Sequence, residues 1–265
     1  IGRDHIDEAF CQEAGIAVAS AAGCNARGVL QWVAAALKHI VESDGKRPEE
    51  YTLGVVGVGN VGSLVVEYAR HWGFRVLMCD PPRHEREGGE FYPIDHIVRE
   101  ADIITLHTPL DPTTHHLISR ERIEAMRPNA VILNASRGAV VDNRAVAESR
   151  HRYAFDVWED EPHLNTEILQ RAMLATPHIA GYSQQGKANA TSMSINALAQ
   201  HFGLPLSEWR PQEVVPTTPR LIGWEEMCAT IADYCDIVAE TEILKRSPEN
   251  FETLRNEYRY REEYF

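Results

Sequence analysis

The 265-residue chain has no apolar run approaching the roughly 18 residues needed to span a bilayer, and its opening, IGRDHIDEAF, lacks a basic stretch followed by an apolar one. A membrane-spanning or secreted protein is therefore not indicated, and the sequence reads as cytoplasmic. Positive charge is scarce: 26 Lys and Arg against 39 Asp and Glu give a formal net charge of −13. That balance opposes the polyanionic backbone of nucleic acid and an anionic membrane surface, so neither is expected as a partner. The five cysteines are odd in number and have no CxxC spacing, which argues against a disulfide framework and a zinc site. Reduced thiols and no metal are expected. Internal repeats and low-complexity tracts are also missing. What the chain does have is a 44% apolar content, ample for a core. It begins with Ile1 rather than Met, and its first residues read as the exit of a strand followed by a helix, so a preceding segment is expected.

Residues 28–41, GVLQWVAAALKHIV, are apolar on nearly every face at helical spacing, which predicts a helix buried against two bodies at once. After the polar break DGKRPEE come a β-branched run (YTLGVVGVG), an amphipathic helix (NVGSLVVEYARHWG) and a second short strand (FRVLMCD). The alternation continues through strands in DIITLHTPL, NAVILNASRG, YAFDVWE and MLATPHIA. Such alternation predicts a doubly wound parallel α/β sheet of the Rossmann type. From about Gly186 the pattern changes to a helix, a Pro-rich connection, a helix over WEEMCATIADYCDIVAETEILKR, and a tail of charged and aromatic residues. Three parts are expected: 1–27, 28–185 and 186–265, the last a separate module.

Gly57, Gly59 and Gly62 form G-x-G-x-x-G directly after a predicted strand and at the start of a helix. The first glycine permits the tight turn, the second lets backbone approach a pyrophosphate, and the third lets helix pack on strand. Asn60 and Val61 lie in the same loop, where the helix N-terminus offers amide donors to phosphates. Asp80, at the end of the next strand, stands where an acidic residue holds ribose hydroxyls and repels a 2′-phosphate. NAD is therefore expected over NADP, although the nearby Arg83 is of the type that accepts a 2′-phosphate.

Arg137, Glu161 and His178 fall at the ends of successive predicted strands, where ligands bind in open α/β sheets. Singly, His178 reads as a core histidine and Glu161, before a proline, as a cap. Together they suit oxidation of a 2-hydroxy acid. Histidine takes the hydroxyl proton near neutral pH, a carboxylate on its other nitrogen fixes the tautomer, and arginine grips the substrate carboxylate.

The ordered motifs GVGNVG, HTPL, NASRGAVVD, DVWEDEP and PHIAGYS resemble those of the D-isomer-specific 2-hydroxyacid dehydrogenases over nearly all of residues 1–190. The resemblance implies that Arg137, Glu161 and His178 are the catalytic set. It also implies that Asp80, Thr108, Ala135, Ser136, Arg137, Asp156 and Gly181 touch NAD, and that Tyr182 and Arg137 touch substrate. CDPPR, HIAGYSQQGKA and GCNARGVLQWVAAAL are similar to a branch of that family that acts on a small phosphorylated hydroxy acid. That similarity implies a partial flavodoxin-like substrate domain at the N-terminus and a C-terminal α+β module that forms a homodimer. The stretch between Arg137 and Glu161, and the segment PLDPTTHHL, are shorter than the family pattern. A true shortening would compromise the sheet between those residues. Another hydroxy acid, such as 3-phosphoglycerate, and an NAD-sensing corepressor-like scaffold are the competing readings.

Overall fold

The computed structural model describes residues 2–265. Six strands, β1 (Thr52–Val56), β2 (Arg75–Cys79), β3 (Ile103–Leu106), β4 (Val131–Asn134), β5 (Arg152–Phe155) and β6 (Leu174–Ala175), form one sheet in the order β2-β1-β3-β4-β5-β6. Every pairing is parallel. β1, β3 and β4 are buried along their whole length, as their Val-, Ile- and Leu-rich runs require when helices cover both faces. Five of the six strands lie within the stretches expected from sequence, and β5 begins one residue before its own, at Arg152.

The described residues form twelve α-helices: α1 (Glu8–Glu13), α2 (Ala26–Asp44), α3 (Asn60–His71), α4 (Pro81–Glu87), α5 (Ile94–Glu100), α6 (Arg120–Glu124), α7 (Asn143–Glu148), α8 (Thr166–Arg171), α9 (Gln184–Phe202), α10 (Trp224–Tyr234), α11 (Ile237–Arg246) and α12 (Phe251–Asn256). α2 buries Leu30, Trp32, Val33, Leu37 and Ile40 completely, on several faces at once. Each such side chain contributes about 1.5–3 kcal/mol. The one polar atom of Trp32 is satisfied by donation to Thr176 Oγ1 at 2.9 Å, just before the His178 loop.

The crossover from β4 to β5 is short but intact. α7 spans six residues, and the pairing from Val131↔Arg152 to Asn134↔Phe155 is unbroken, so the sheet is whole between Arg137 and Glu161. PLDPTTHHL closes as a compact turn in which Asp111 accepts from Thr113 and its amide donates to Thr114.

The C-terminal part differs from expectation in two ways. The helix expected over residues 224–246 is two helices, because the Asp236 carboxylate caps α11 through the Ala239 amide at 3.0 Å and breaks the chain direction after Cys235. In place of an α+β module, residues 186–265 hold helices and irregular chain, and their β-type contact is the bridge between Ser183 and Arg261. Side chains of this part enter the main core. Phe265 is fully buried and packs its ring on Tyr68 and Trp72, while Met227, Ile231 and Ile237 join the cluster built on α2 and β1. α11 covers the two-residue edge strand β6, where Thr241 Oγ1 accepts from Ala175 N. Among the described residues no helix is long and apolar enough to cross a membrane.

Candidate active site

Parallel pairing brings the carboxyl ends of all the strands to one edge, where the residues singled out from sequence meet. After β1, Gly57 has φ +82°, and a Cβ there would lie 2.7 Å from the His107 backbone. A Cβ at Gly62 would lie 1.9 Å from the Gly57 carbonyl oxygen, so helix α3 seats on the loop only without a side chain there. Gly59 opens onto empty space, as a backbone cradle for phosphate requires. Asn60 begins α3 and packs against Gly23, and Val61 packs against the core. Thr108, beyond β3, has a buried hydroxyl without a hydrogen-bond partner, and the cofactor assigned to this loop would supply one. These features fit a dinucleotide.

Asp80 closes β2. Its Oδ2 accepts from the Val58 amide at 2.8 Å and its Oδ1 from the Arg83 amide at 2.9 Å, which fixes the carboxylate beside the glycine loop and caps α4. Arg83 is committed elsewhere: Nη1 donates to the Val58 carbonyl at 2.7 Å and Nη2 pairs with Glu87 at 2.6 Å. An arginine neutralised by its own helix is a poor receptor for a 2′-phosphate.

A cavity of about 490 Å³ is lined by Arg137, Glu161, His178, Gly181 and Tyr182. His178 Nδ1 lies 2.8 Å from Glu161 Oε2, and Glu161 Oε1 accepts from the Trp158 amide at 2.7 Å. With Glu161 ionised, Nδ1 carries the proton and Nε2 keeps its lone pair. His178 has φ +58°, a left-handed conformation that costs a β-carbon residue roughly 1–3 kcal/mol. The cost is offset by fixed contacts: its amide donates to the Asp156 carbonyl at 2.8 Å, and the next two amides donate to the Asp156 carboxylate at 2.8 and 2.9 Å. Asp156, read from sequence as a cofactor contact, is only 1% exposed. With Thr176 Oγ1 as a further donor, its carboxylate is spent on the loop, and desolvation raises its pKa. Its influence on any ligand runs through that loop.

Arg137 follows β4 on a turn pinned by Asn134, whose amide donates to the Arg137 carbonyl and whose oxygen takes both the amide and the hydroxyl of Ser136. Ser136 is nearly buried by this bonding, and Ala135 packs against the core. The guanidinium pairs with Asp4 through Nε at 3.2 Å and Nη2 at 3.1 Å, while Nη1 donates to the Ser136 carbonyl at 2.7 Å. The pair holds Asp4 below the usual carboxylate range. N–H groups remain uncommitted on both terminal nitrogens, so Arg137 can still receive a second carboxylate end-on. Gly181 lies against Asn25, and the Tyr182 hydroxyl accepts from Arg255 Nε at 3.1 Å. Asp4, Arg255 and Lys187 also line the cavity and were not singled out from sequence. Asp4 is 133 residues from Arg137 and Arg255 is 73 from Tyr182, both in segments with no motif, whereas Lys187 stands inside HIAGYSQQGKA and was given no role there.

Residues 26–180 match the model of the D-isomer-specific 2-hydroxyacid dehydrogenase NAD-binding domain. The erythronate-4-phosphate dehydrogenase of Bacteroides thetaiotaomicron is 39% identical over 99% of this chain and 78% of that protein. The protein of the same name from Ectopseudomonas mendocina is 45% identical over 77% of this chain, and the match spans 56% of the relative's length. Among solved structures, D-lactate dehydrogenase from Aquifex aeolicus complexed with NAD and lactic acid superposes with a TM-score of 0.62 at 26% identity, covering 77% of this chain and 74% of that one. The chain therefore belongs to the D-isomer-specific 2-hydroxyacid dehydrogenase family and carries its NAD-binding domain.

Proposed function

We propose that the protein oxidises 4-phospho-D-erythronate to 2-oxo-3-hydroxy-4-phosphobutanoate with NAD, a step of pyridoxal 5′-phosphate (vitamin B6) biosynthesis, as a cytoplasmic homodimer joined through residues 186–265. The observation that carries the chemistry is the 2.8 Å pair between His178 and Glu161 in the same cavity as Arg137. The name erythronate-4-phosphate dehydrogenase, shared by relatives at 39% and 45% identity, supports the choice of acid.

NAD bound at the glycine loop supplies the acceptor for the hydride that leaves C2. His178 Nε2 takes the proton of the C2 hydroxyl as that bond breaks. Glu161 keeps Nδ1–H pointed at itself and stabilises the imidazolium that forms. Arg137 receives the substrate carboxylate on its uncommitted N–H groups and draws charge from the forming carbonyl. Asp80 would hold the ribose hydroxyls of the cofactor.

The test is formation of NADH by the full chain with 4-phospho-D-erythronate, 3-phosphoglycerate and D-lactate in parallel. The highest kcat/KM is expected for 4-phospho-D-erythronate. Absence of turnover, or faster oxidation of 3-phosphoglycerate, overturns the substrate. No oxidation of any hydroxy acid, together with tight NAD binding, favours a sensing scaffold.

A further inference from the structure

The charges of the cavity do not cancel. Its two carboxylates are engaged, Asp4 by Arg137 and Glu161 by His178. Two of its cations, Lys187 of α9 and Arg255 of α12, have no carboxylate within 4 Å among the described residues, in a chain with 39 acidic side chains. Both are gathered on Tyr182. Arg255 Nε donates to the tyrosine hydroxyl at 3.1 Å, which leaves both of its terminal nitrogens without a protein partner among the described residues. Lys187 Nζ stands 4.1 Å from the centre of the Tyr182 ring and 5.0 Å from that of Tyr260. The aromatic faces hold the ammonium in place without neutralising it.

We propose that Arg255 and Lys187, gathered on Tyr182, form the subsite for the phosphate group of the substrate. The inference rests on the reading above, in which the acid carries a carboxylate at one end and a phosphate at the other. Arg137 faces the first and this pair the second. Arginine offers a planar fork for two phosphate oxygens, and lysine adds a compact point charge, so a dianion meets two charges and several donors. A monoanionic hydroxy acid leaves both cations unmatched. Selection for a phosphorylated substrate is then made by the C-terminal part of the chain, which reaches the site through α12.

The experiment measures kcat/KM for 4-phospho-D-erythronate and for unphosphorylated D-erythronate in the full chain and in Arg255→Gln, Lys187→Gln and Lys187→Arg. It adds inorganic phosphate as a competitive inhibitor. The phosphorylated-to-unphosphorylated ratio is expected to fall about 10- to 100-fold in each Gln variant. Phosphate inhibition is expected to weaken in parallel, and Lys187→Arg should recover most of the ratio. An unchanged ratio with unchanged phosphate inhibition overturns the subsite. Equal losses on both substrates also overturn it, since Arg255 would then serve only to hold Tyr182. Wild-type protein that ignores 4-phospho-D-erythronate while phosphate inhibition remains sensitive to Arg255→Gln removes the substrate and keeps the subsite.

Discussion

The guanidinium of Arg261, near the C-terminus, donates to the carbonyl of Ile179, the residue after His178, at 3.0 Å. It also donates to the carbonyls of Ala180, of Tyr182 at 3.2 Å, and of Gly28 on α2 at 2.7 Å. Only 6% of the residue is exposed, so a charge far along the chain is buried to hold the loop that presents His178. Asp156 holds the same loop through its amides. The left-handed backbone of His178 is thus fixed on both its donor and its acceptor sides.

Replacing Arg261 with Met removes a donor from four carbonyls without leaving a charge behind. A loss of about 3 kcal/mol in unfolding free energy is expected. Turnover should fall in the protein that remains folded, because the His178 loop loses its anchor. Urea unfolding and kcat, measured on the same preparation, check both effects. A variant with the wild-type midpoint and rate would mean that Asp156 alone fixes the loop.

Replacement of His178 or Arg137 by Ala should each lower turnover by at least about 10². The two losses should differ in kind. His178→Ala acts on kcat, since proton transfer is lost. Arg137→Ala raises KM as well, since the carboxylate anchor goes. Steady-state kinetics separate them, and near-normal rates in either variant sink that role.

Asp80→Asn keeps an oxygen to accept from the Val58 or Arg83 amide but removes the negative charge. Its NAD kcat/KM is expected to fall about tenfold, while the gap between NAD and NADP narrows. Parallel assays with both cofactors give the ratio. A ratio that stays at the wild-type value would shift the discrimination to the Arg83–Glu87 pair.

The sheet was legible because its signal is local. The β-branched runs at residues 52–56, 103–106 and 131–134 are fully buried strands, and the glycine spacing at 57–62 is set by contacts within one turn. Arg137, Glu161 and His178 could be found because each follows such a strand. Asp4, 133 residues from Arg137, carries no comparable signal, nor does Arg255, 73 residues from Tyr182; Lys187 lies within HIAGYSQQGKA, but its contacts with the Tyr182 and Tyr260 rings do not follow from that spacing. The break at Asp236 was missed because the apolar spacing continues through it while a side-chain cap overrides it. The C-terminal tail read as detached for a related reason. Its charges and aromatics look solvated in sequence, yet Arg261, Glu263 and Phe265 are buried by partners more than forty residues away.

His107, beside Thr108 at the end of β3, is half-buried, and its Nε2 lies 3.0 Å from Thr105 Oγ1. Burial without a charge partner pushes its pKa from 6.5 down to about 3. Above pH 6.5 the imidazole is neutral in both folded and unfolded chains and contributes no pH dependence. Between those two values the unfolded chain holds a proton that the folded one does not, so stability falls as the pH drops. From pH 7.5 to pH 5 this amounts to about 2 kcal/mol at most. His107→Gln keeps a hydrogen-bonding side chain and cannot titrate. Its unfolding free energy is therefore expected to fall less over that range than that of the wild-type protein, with the other titrating groups common to both. Urea unfolding of the two proteins at pH 7.5 and pH 5 measures the difference. Parallel losses in the two would mean that the imidazole becomes protonated in the folded protein at ordinary pH values, with water reaching it from the cofactor side.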